Sequence, residues 1–303
     1  MFDMLIMLWP VFALLMLGVL ARRFDFPGEG FWPLAEKATY FVLFPVLLVA
    51  RLSQADIGGV SIGGIALAVL LLLLGGSLLC YLLRPLLKLD GGEFTSFYQG
   101  GVRFNTYVGL ASVAALYGEA GLAVSAVIIA FMIPLLNVFC VLVFTLHAGG
   151  SSGLRPVLRN LIRNPLILAS VFGMLLNYSG IGMPPPARPV VELLGQMALP
   201  LGLLAVGAGL SLKALRAVGP ALLGASVIKL VLFPVLALAL GQWLSLGEQA
   251  RNLLVLFAAL PTASSAYILA RQLGGDAPMM AAIITGQTLL SAITIPLMLG
   301  WLI

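Results

Sequence analysis

Residues 260–267 read Leu260-Pro261-Thr262-Ala263-Ser264-Ser265-Ala266-Tyr267, and residues 94–109 read Phe94-Thr95-Ser96-Phe97-Tyr98-Gln99-Gly100-Gly101-Val102-Arg103-Phe104-Asn105-Thr106-Tyr107-Val108-Gly109. The first stretch puts a proline about halfway along an apolar run. The second is too polar and too rich in glycine to face lipid. Proline inside a helix removes a backbone hydrogen bond and clashes with the preceding turn. In a bilayer, broken backbone is tolerated where protein buries it or where it lines a cavity. Where a helix breaks, its second half presents free N–H groups and the positive end of a dipole. Two such ends, near Asn105 and Thr106 and near Thr262 to Ser265, outline an anion site at the membrane centre.

The rest of the chain calls for a bilayer. Of 303 residues only 9% are charged and 61% are hydrophobic, and the mean hydropathy is +1.13. Soluble domains carry about 25% charged residues, so this chain has too little polar surface for a globule in water. Disorder, a disulfide scaffold and a nucleic-acid binder are excluded too, because the net charge of +5 is spread thinly and forms no basic stripe. Cys80 and Cys140 lie in separate apolar runs and read as small hydrophobes.

A bilayer core of about 30 Å needs about 20 apolar helical residues. Runs of that length fall near 3–21, 31–51, 63–86, 94–117, 121–146, 159–178, 187–210, 217–245, 249–271 and 278–302, which predicts ten spans. The first run opens on Met1-Phe2-Asp3 without a basic region and is followed by Arg22 and Arg23, so it reads as a retained span. With ten spans, the odd-numbered loops collect Arg22, Arg23, Lys37, Arg84, Lys88, Arg103, Arg155, Arg159, Arg163, Lys213, Arg216 and Arg271. The even-numbered loops hold Arg51, Arg188 and Arg251. That asymmetry predicts both termini outside the cytoplasm.

Sliding the chain on itself by 155 residues lays Pro10 on Pro165, Gly18 on Gly173 and Pro45 on Pro200. A shift of 157 lays Gly118, Glu119 and Ala120 on Gly275, Asp276 and Ala277, and Phe104 and Asn105 on Pro261 and Thr262. The near-constant offset predicts two five-span repeats, 1–147 and 159–303, joined by a cytoplasmic linker over 148–158. An odd number of spans per repeat makes their topologies opposite.

These residues carry a resemblance. Asn105-Thr106-Tyr107-Val108-Gly109 followed by Leu116-Tyr117-Gly118, and Leu260-Pro261-Thr262-Ala263-Ser264-Ser265 with Ala270-Arg271-Gln272, resemble the two crossover helices of the auxin efflux carrier family. Asn164-Pro165-Leu166-Ile167 and Ala198-Leu199-Pro200-Leu201-Gly202 are similar to that family as well. The resemblance covers nearly the whole chain. It implies an all-α membrane protein of ten transmembrane helices in two inverted repeats with crossing broken helices, as in bile-acid/sodium symporters and sodium/proton antiporters. It also implies a scaffold from spans 1, 2, 6 and 7, a mobile transport domain from spans 3–5 and 8–10, and a homodimer. Family substrates are mostly organic anions, auxin in plants and malate or malonate in bacteria. Two departures stand out. Plant carriers place Pro before the crossover Asn, where this chain has Phe104, so the resemblance implies the break in span four less firmly than the one in span nine. The long central loop of many plant members is also missing, which points to a compact bacterial member.

Several further groups at membrane depth have two readings each. Lys229 stands about thirteen residues into span eight with no acid one turn away, and a Lys at helix centre costs about 2.5–3.5 kcal/mol. It either snorkels to a water-filled vestibule or uses its charge to hold the crossover or attract an anion. Arg103 either faces a cytoplasmic cavity or caps a half-helix. Asn137, beside Pro134, is a site candidate or an interhelical bond, and Gln287 and Thr294 read as interhelical bonds. Glu36 and Lys37 read as a surface pair, which leaves no carboxylate at the crossover and argues against a cation substrate.

The expected activity is therefore a secondary carrier for a small carboxylate, dicarboxylate or auxin-like anion in the cell inner membrane. Its site would comprise Asn105, Thr106, Pro261, Thr262, Ser264 and Ser265, with Asn137 and Lys229 nearby. No cofactor or nucleic acid is expected, and H⁺ or Na⁺ coupling stays open. An intramembrane serine hydrolase is disfavoured. Gly150-Ser151-Ser152-Gly153 shares a flexible loop with the sole histidine, His147, and Ser61 lies on the opposite side. A channel or sensor is the rival, but no loop is long enough for an output domain.

Overall fold

The computed structural model describes residues 2–28, 30–54, 61–148, 164–217 and 219–303. All regular structure among them is helical: α1 Phe2–Arg23, α2 Phe31–Leu52, α3 Ile62–Leu87, α4 Gly91–Val102, α5 Thr106–His147, α6 Pro165–Tyr178, α7 Arg188–Gly209, α8 Pro220–Trp243, α9 Glu248–Ala259, α10 Ser265–Leu273 and α11 Ala277–Leu302, with a 3₁₀ turn at Leu212–Ala217. Among the described residues, seven helical stretches are long and apolar enough to cross a membrane. The expected linker lies outside the described residues except for Ala148, as do the first residues of span six with Arg155, Arg159 and Arg163.

Local chemistry sets the boundaries. Asp90 and Glu93 form a reciprocal capping box that starts α4. The Oδ1 of Asn105 accepts from the N–H groups of Tyr107 and Val108 to start α5, and Asn164 does the same for Leu166 and Ile167 at α6, with Pro165 in the first turn. Helix α10 ends at Gly274, whose φ of 82° is left-handed. Helix α5, at 42 residues, would run about 63 Å if straight, roughly twice a bilayer core. It turns instead at Gly118 (φ 59°, ψ −149°), between the fourth and fifth expected spans.

Two helices carry a widened turn of i→i+5 bonds, Thr39–Leu43 in α2 and Ile228–Leu232 in α8. Each is followed within two residues by a proline, Pro45 or Pro234, which has no N–H to give and crowds the carbonyl four residues back. The extra residue per turn relieves that clash. It also re-aims the side chains around it, Tyr40 in one helix and Lys229 in the other.

Helices α1, α2, α6 and α7 pack on one another. The remaining helices form a second group, and both arms of α5 and part of α11 contact the first group. Helix α1 lies tight on α7: a Cβ at Gly18 would stand 2.1 Å from the Leu204 carbonyl oxygen, and one at Gly207 2.0 Å from that of Leu15. In lipid, where apolar side chains gain little from leaving their solvent, such backbone proximity is what holds helices together. The outward faces are apolar. Trp9, Leu86, Leu146, Phe172, Leu193, Ile293 and Trp301 are all exposed, in numbers no water-soluble surface sustains. The protein is a multi-pass membrane protein.

Candidate substrate site at two helix breaks

Between α4 and α5 the chain is extended at Arg103 (φ −73°, ψ 152°) and Asn105 (φ −87°, ψ 105°). Between α9 and α10 it is extended at Leu260 (φ −70°, ψ 148°) and non-helical through Ala263. The breaks meet: the N–H of Asn105 donates to the Pro261 carbonyl at 2.8 Å, and the Phe104 and Phe257 rings pack edge to face at 5.5 Å. Phe104 therefore does not keep span four continuous. Span four breaks without a proline because its freed backbone groups find partners in the other break.

Four half-helix ends converge here, and they are treated differently. The α4 end is closed by Thr262 and Gln287, since the Gly100 carbonyl accepts from Thr262 Oγ1 at 3.1 Å and from Gln287 Nε2 at 2.9 Å. Gln287 Oε1 in turn accepts from the N–H and Oγ1 of Thr262 at 3.0 and 2.7 Å. The α9 end is closed by Lys229. Its Nζ donates to the Ala258 carbonyl at 2.9 Å and lies 3.4 Å from that of Phe257 and 4.5 Å over the Phe233 ring. With 0% exposure, Lys229 does not snorkel to a vestibule: its cation sits at the negative end of a helix dipole.

The two N-terminal ends keep donors in hand. At α5, Asn105 spends its oxygen on the cap, while its Nδ2 is buried and has no partner. Arg103 precedes it by two residues on extended backbone, a spacing that sends side chains to the same side. Its Nη2 lies 3.4 Å from Asn137 Oδ1, and its buried Nε and Nη1 have no partner among the described residues. Thr106 is half-buried at the helix start. At α10 the first backbone bonds run from Ala266 and Tyr267 back to Ala263 and Ser264, so earlier N–H groups have no acceptor in their own helix. Ser265 is exposed there and Ser264 half-buried.

Ser264 brings a correction. Its hydroxyl donates to Glu36 Oε1 at 2.7 Å instead of capping its own helix. Glu36 is half-buried while Lys37 is exposed, because neighbours on a helix point about 100° apart. Glu36 is thus no surface partner of Lys37, and the expected absence of a carboxylate at the crossover does not hold. The exclusion of cations loses that premise. On the same helix Tyr40 accepts a bond from Asn164 Nδ2 and Phe44 packs on Tyr107 at 4.8 Å.

Of the expected site residues, Asn105, Pro261 and Thr262 meet at the crossing, Thr106, Ser264 and Ser265 sit at the two N-terminal ends, and Asn137 joins through Arg103. Thr262 and Lys229 are consumed in closing C-terminal ends. A separate cavity of about 670 Å³ contains no residue of either break. Its lining includes Arg51 and Arg188 but also Glu119, Glu192 and Glu248, with Arg51 paired to Glu119 and Arg188 to Glu192. That balance of charge does not single out an anion. The crossing differs in holding buried donors without a partner among the described residues.

Comparison with known proteins points to a membrane transporter. A family model described as membrane transport protein matches residues 151–299. The chain is 30% identical over 317 aligned positions to the "Putative malonate transporter" of Rhizobium meliloti, covering 94% of this chain and 92% of that one. It is 25% identical over 294 positions to the "Uncharacterized transporter" of Methanothermobacter thermautotrophicus, covering 95% and 94%. With the relationship running end to end, through both breaks, the chain belongs to the auxin efflux carrier family of membrane transport proteins.

Proposed function

We propose that this transporter is a secondary carrier for a small organic anion, and that the anion's carboxylate binds at the crossing. The observation that carries this reading is the pairing of two half-helix N-termini with buried donors that nothing among the described residues satisfies, Asn105 Nδ2 and Arg103 Nε and Nη1. A buried unpaired donor costs about 1–3 kcal/mol, and a carboxylate supplies the acceptors that remove this cost. The name of the Rhizobium relative makes malonate the first substrate to try.

In this reading the chain is a ten-helix inverted repeat in the cell inner membrane, with both termini outside the cytoplasm, working as a homodimer. Helices α1, α2, α6 and α7 are the scaffold. The crossing and the helices around it move as the transport domain, so the carboxylate is exposed to each side in turn. Lys229, Thr262, Gln287 and Pro261 build the crossing; Asn105, Thr106, Arg103, Asn137, Ser264 and Ser265 face the ligand.

The test is thermal unfolding of the purified protein against a panel of mono- and dicarboxylates, with and without sodium. A ligand that binds only the folded state at 100 times its Kd adds about 2.7 kcal/mol. A rise in Tm with malonate, malate or an aryl acetate that chloride and sulfate do not reproduce is expected. No response to any carboxylate contradicts the proposal.

A further inference from the structure

The bond between Glu36 and Ser264 joins helices that otherwise keep apart. Helix α10 packs on α4 and α11, and the first turns of α2 pack on α7 and on the widened turn that follows. The side chains nevertheless meet at 2.7 Å, across 228 residues of sequence. A carboxylate from the proposed scaffold therefore rests on the N-terminus of the proposed transport domain, where the substrate carboxylate is placed above. This inference rests on that placement.

We propose that Glu36 is the resident carboxylate of the site and its proton acceptor: a substrate carboxylate takes its place at Ser264, and Glu36 takes up one proton as it yields. Two carboxylates on one small site do not both stay ionised, because each raises the proton affinity of the other. Either the substrate is kept out or one group is neutralised. The balance is simple: ionised Glu36 plus one proton gives the neutral acid, no covalent bond to substrate forms, and the anion enters with one proton taken up. The surroundings leave Glu36 free to do this. Among the described residues the ion pairs are Arg51–Glu119 and Arg188–Glu192, so no cation is paired to Glu36. Lys37 is exposed on another face. Tyr107 from α5 lies within electrostatic reach of Glu36, and so does Tyr40 of Tyr107; Arg103 acts on Tyr40 and bonds Asn137. From α10 the facing group is the Ser264 hydroxyl, which does not titrate.

The experiment measures malonate affinity of the full-length wild type and of Glu36→Gln between about pH 7.5 and 8.5, where malonate is almost entirely the dianion. Proton uptake on binding is read in weak buffer. Gln keeps an oxygen for the Ser264 hydroxyl and the same length, so folding is preserved, and unchanged Tm confirms it. Wild-type affinity is expected to weaken by up to tenfold per pH unit as pH rises, with close to one proton taken up per malonate. Glu36→Gln is expected to bind about tenfold more tightly than wild type at pH 8.5, with a flat profile and no proton uptake. If Glu36→Gln keeps the wild-type pH profile, or wild type binds tightly without proton uptake, the role of Glu36 is overturned while the anion site stands. If neither protein binds any carboxylate of the panel, both fall together.

Discussion

Asn105 does two things with one amide. Its oxygen caps α5 through Tyr107 and Val108, while its Nδ2 stays buried and unpaired. Serine caps a helix about as well as asparagine, but its one donor, the O–H, sits on the capping oxygen itself and replaces neither the reach nor the two N–H groups of Nδ2. Asn105→Ser is therefore expected to stay within about 0.5 kcal/mol of wild-type stability. It should weaken malonate binding about tenfold or more, since a hydrogen bond to a charged group contributes about 1.5–3 kcal/mol. Thermal unfolding and calorimetric titration separate the two effects. Thr262 is the opposite case, with its hydroxyl and N–H both engaged and 0% exposure. Thr262→Val keeps the shape and takes one of two donors from both the Gly100 carbonyl and Gln287 Oε1, each of which retains the other, so stability should fall by about 0.5–1.5 kcal/mol. The affinity of the folded fraction for malonate should change by less than about threefold. Lys229 shows why some roles stay hidden in a sequence. Its partners are the backbone carbonyls of Phe257 and Ala258, and a carbonyl is the same whatever residue carries it. The Glu36–Ser264 bond was hidden for another reason: helical periodicity puts Glu36 on a face but does not say which distant helix that face meets.

Among the elements, the breaks were the most legible. Pro261 and the polar cluster around Asn105 each contradict the apolar run that holds them, and an interrupted pattern is as readable as a regular one. Where ten spans were expected, seven helical stretches among the described residues are long and apolar enough to cross a membrane. The widened turns were not expected, although Phe44-Pro45 and Phe233-Pro234 supply their cause. Proline says that a helix must yield nearby, and whether it yields by kinking, breaking or widening depends on packing. Gly118 is a cleaner case. Its φ and ψ lie in a region essentially reserved for glycine, and a Cβ there would meet nothing within 4 Å. Gly118→Ala therefore isolates backbone strain and is expected to lower stability by about 1–3 kcal/mol, read as a drop in Tm. Equal stability would show that the turn can reshape without it.

At the scale of the whole molecule, charge is nearly absent where lipid lies and concentrated where the chain has something to hold. Lys229 closes one half-helix, Arg103 stands beside Asn105, and Glu36 reaches across to Ser264. Low charge located the protein in a membrane; these three groups each bond at or beside the crossing. Such a site serves a carrier only if occupancy and passage are linked, so that ligand on one side exchanges for ligand on the other. The direct measurement is counterflow: proteoliposomes loaded with unlabelled malonate, diluted into labelled malonate, with wild type and Asn105→Ser side by side. Saturable accumulation of label that requires internal malonate, reduced about tenfold in apparent affinity by Asn105→Ser, is the expected result. Flux that rises linearly with concentration and ignores internal malonate would contradict a carrier site at the crossing.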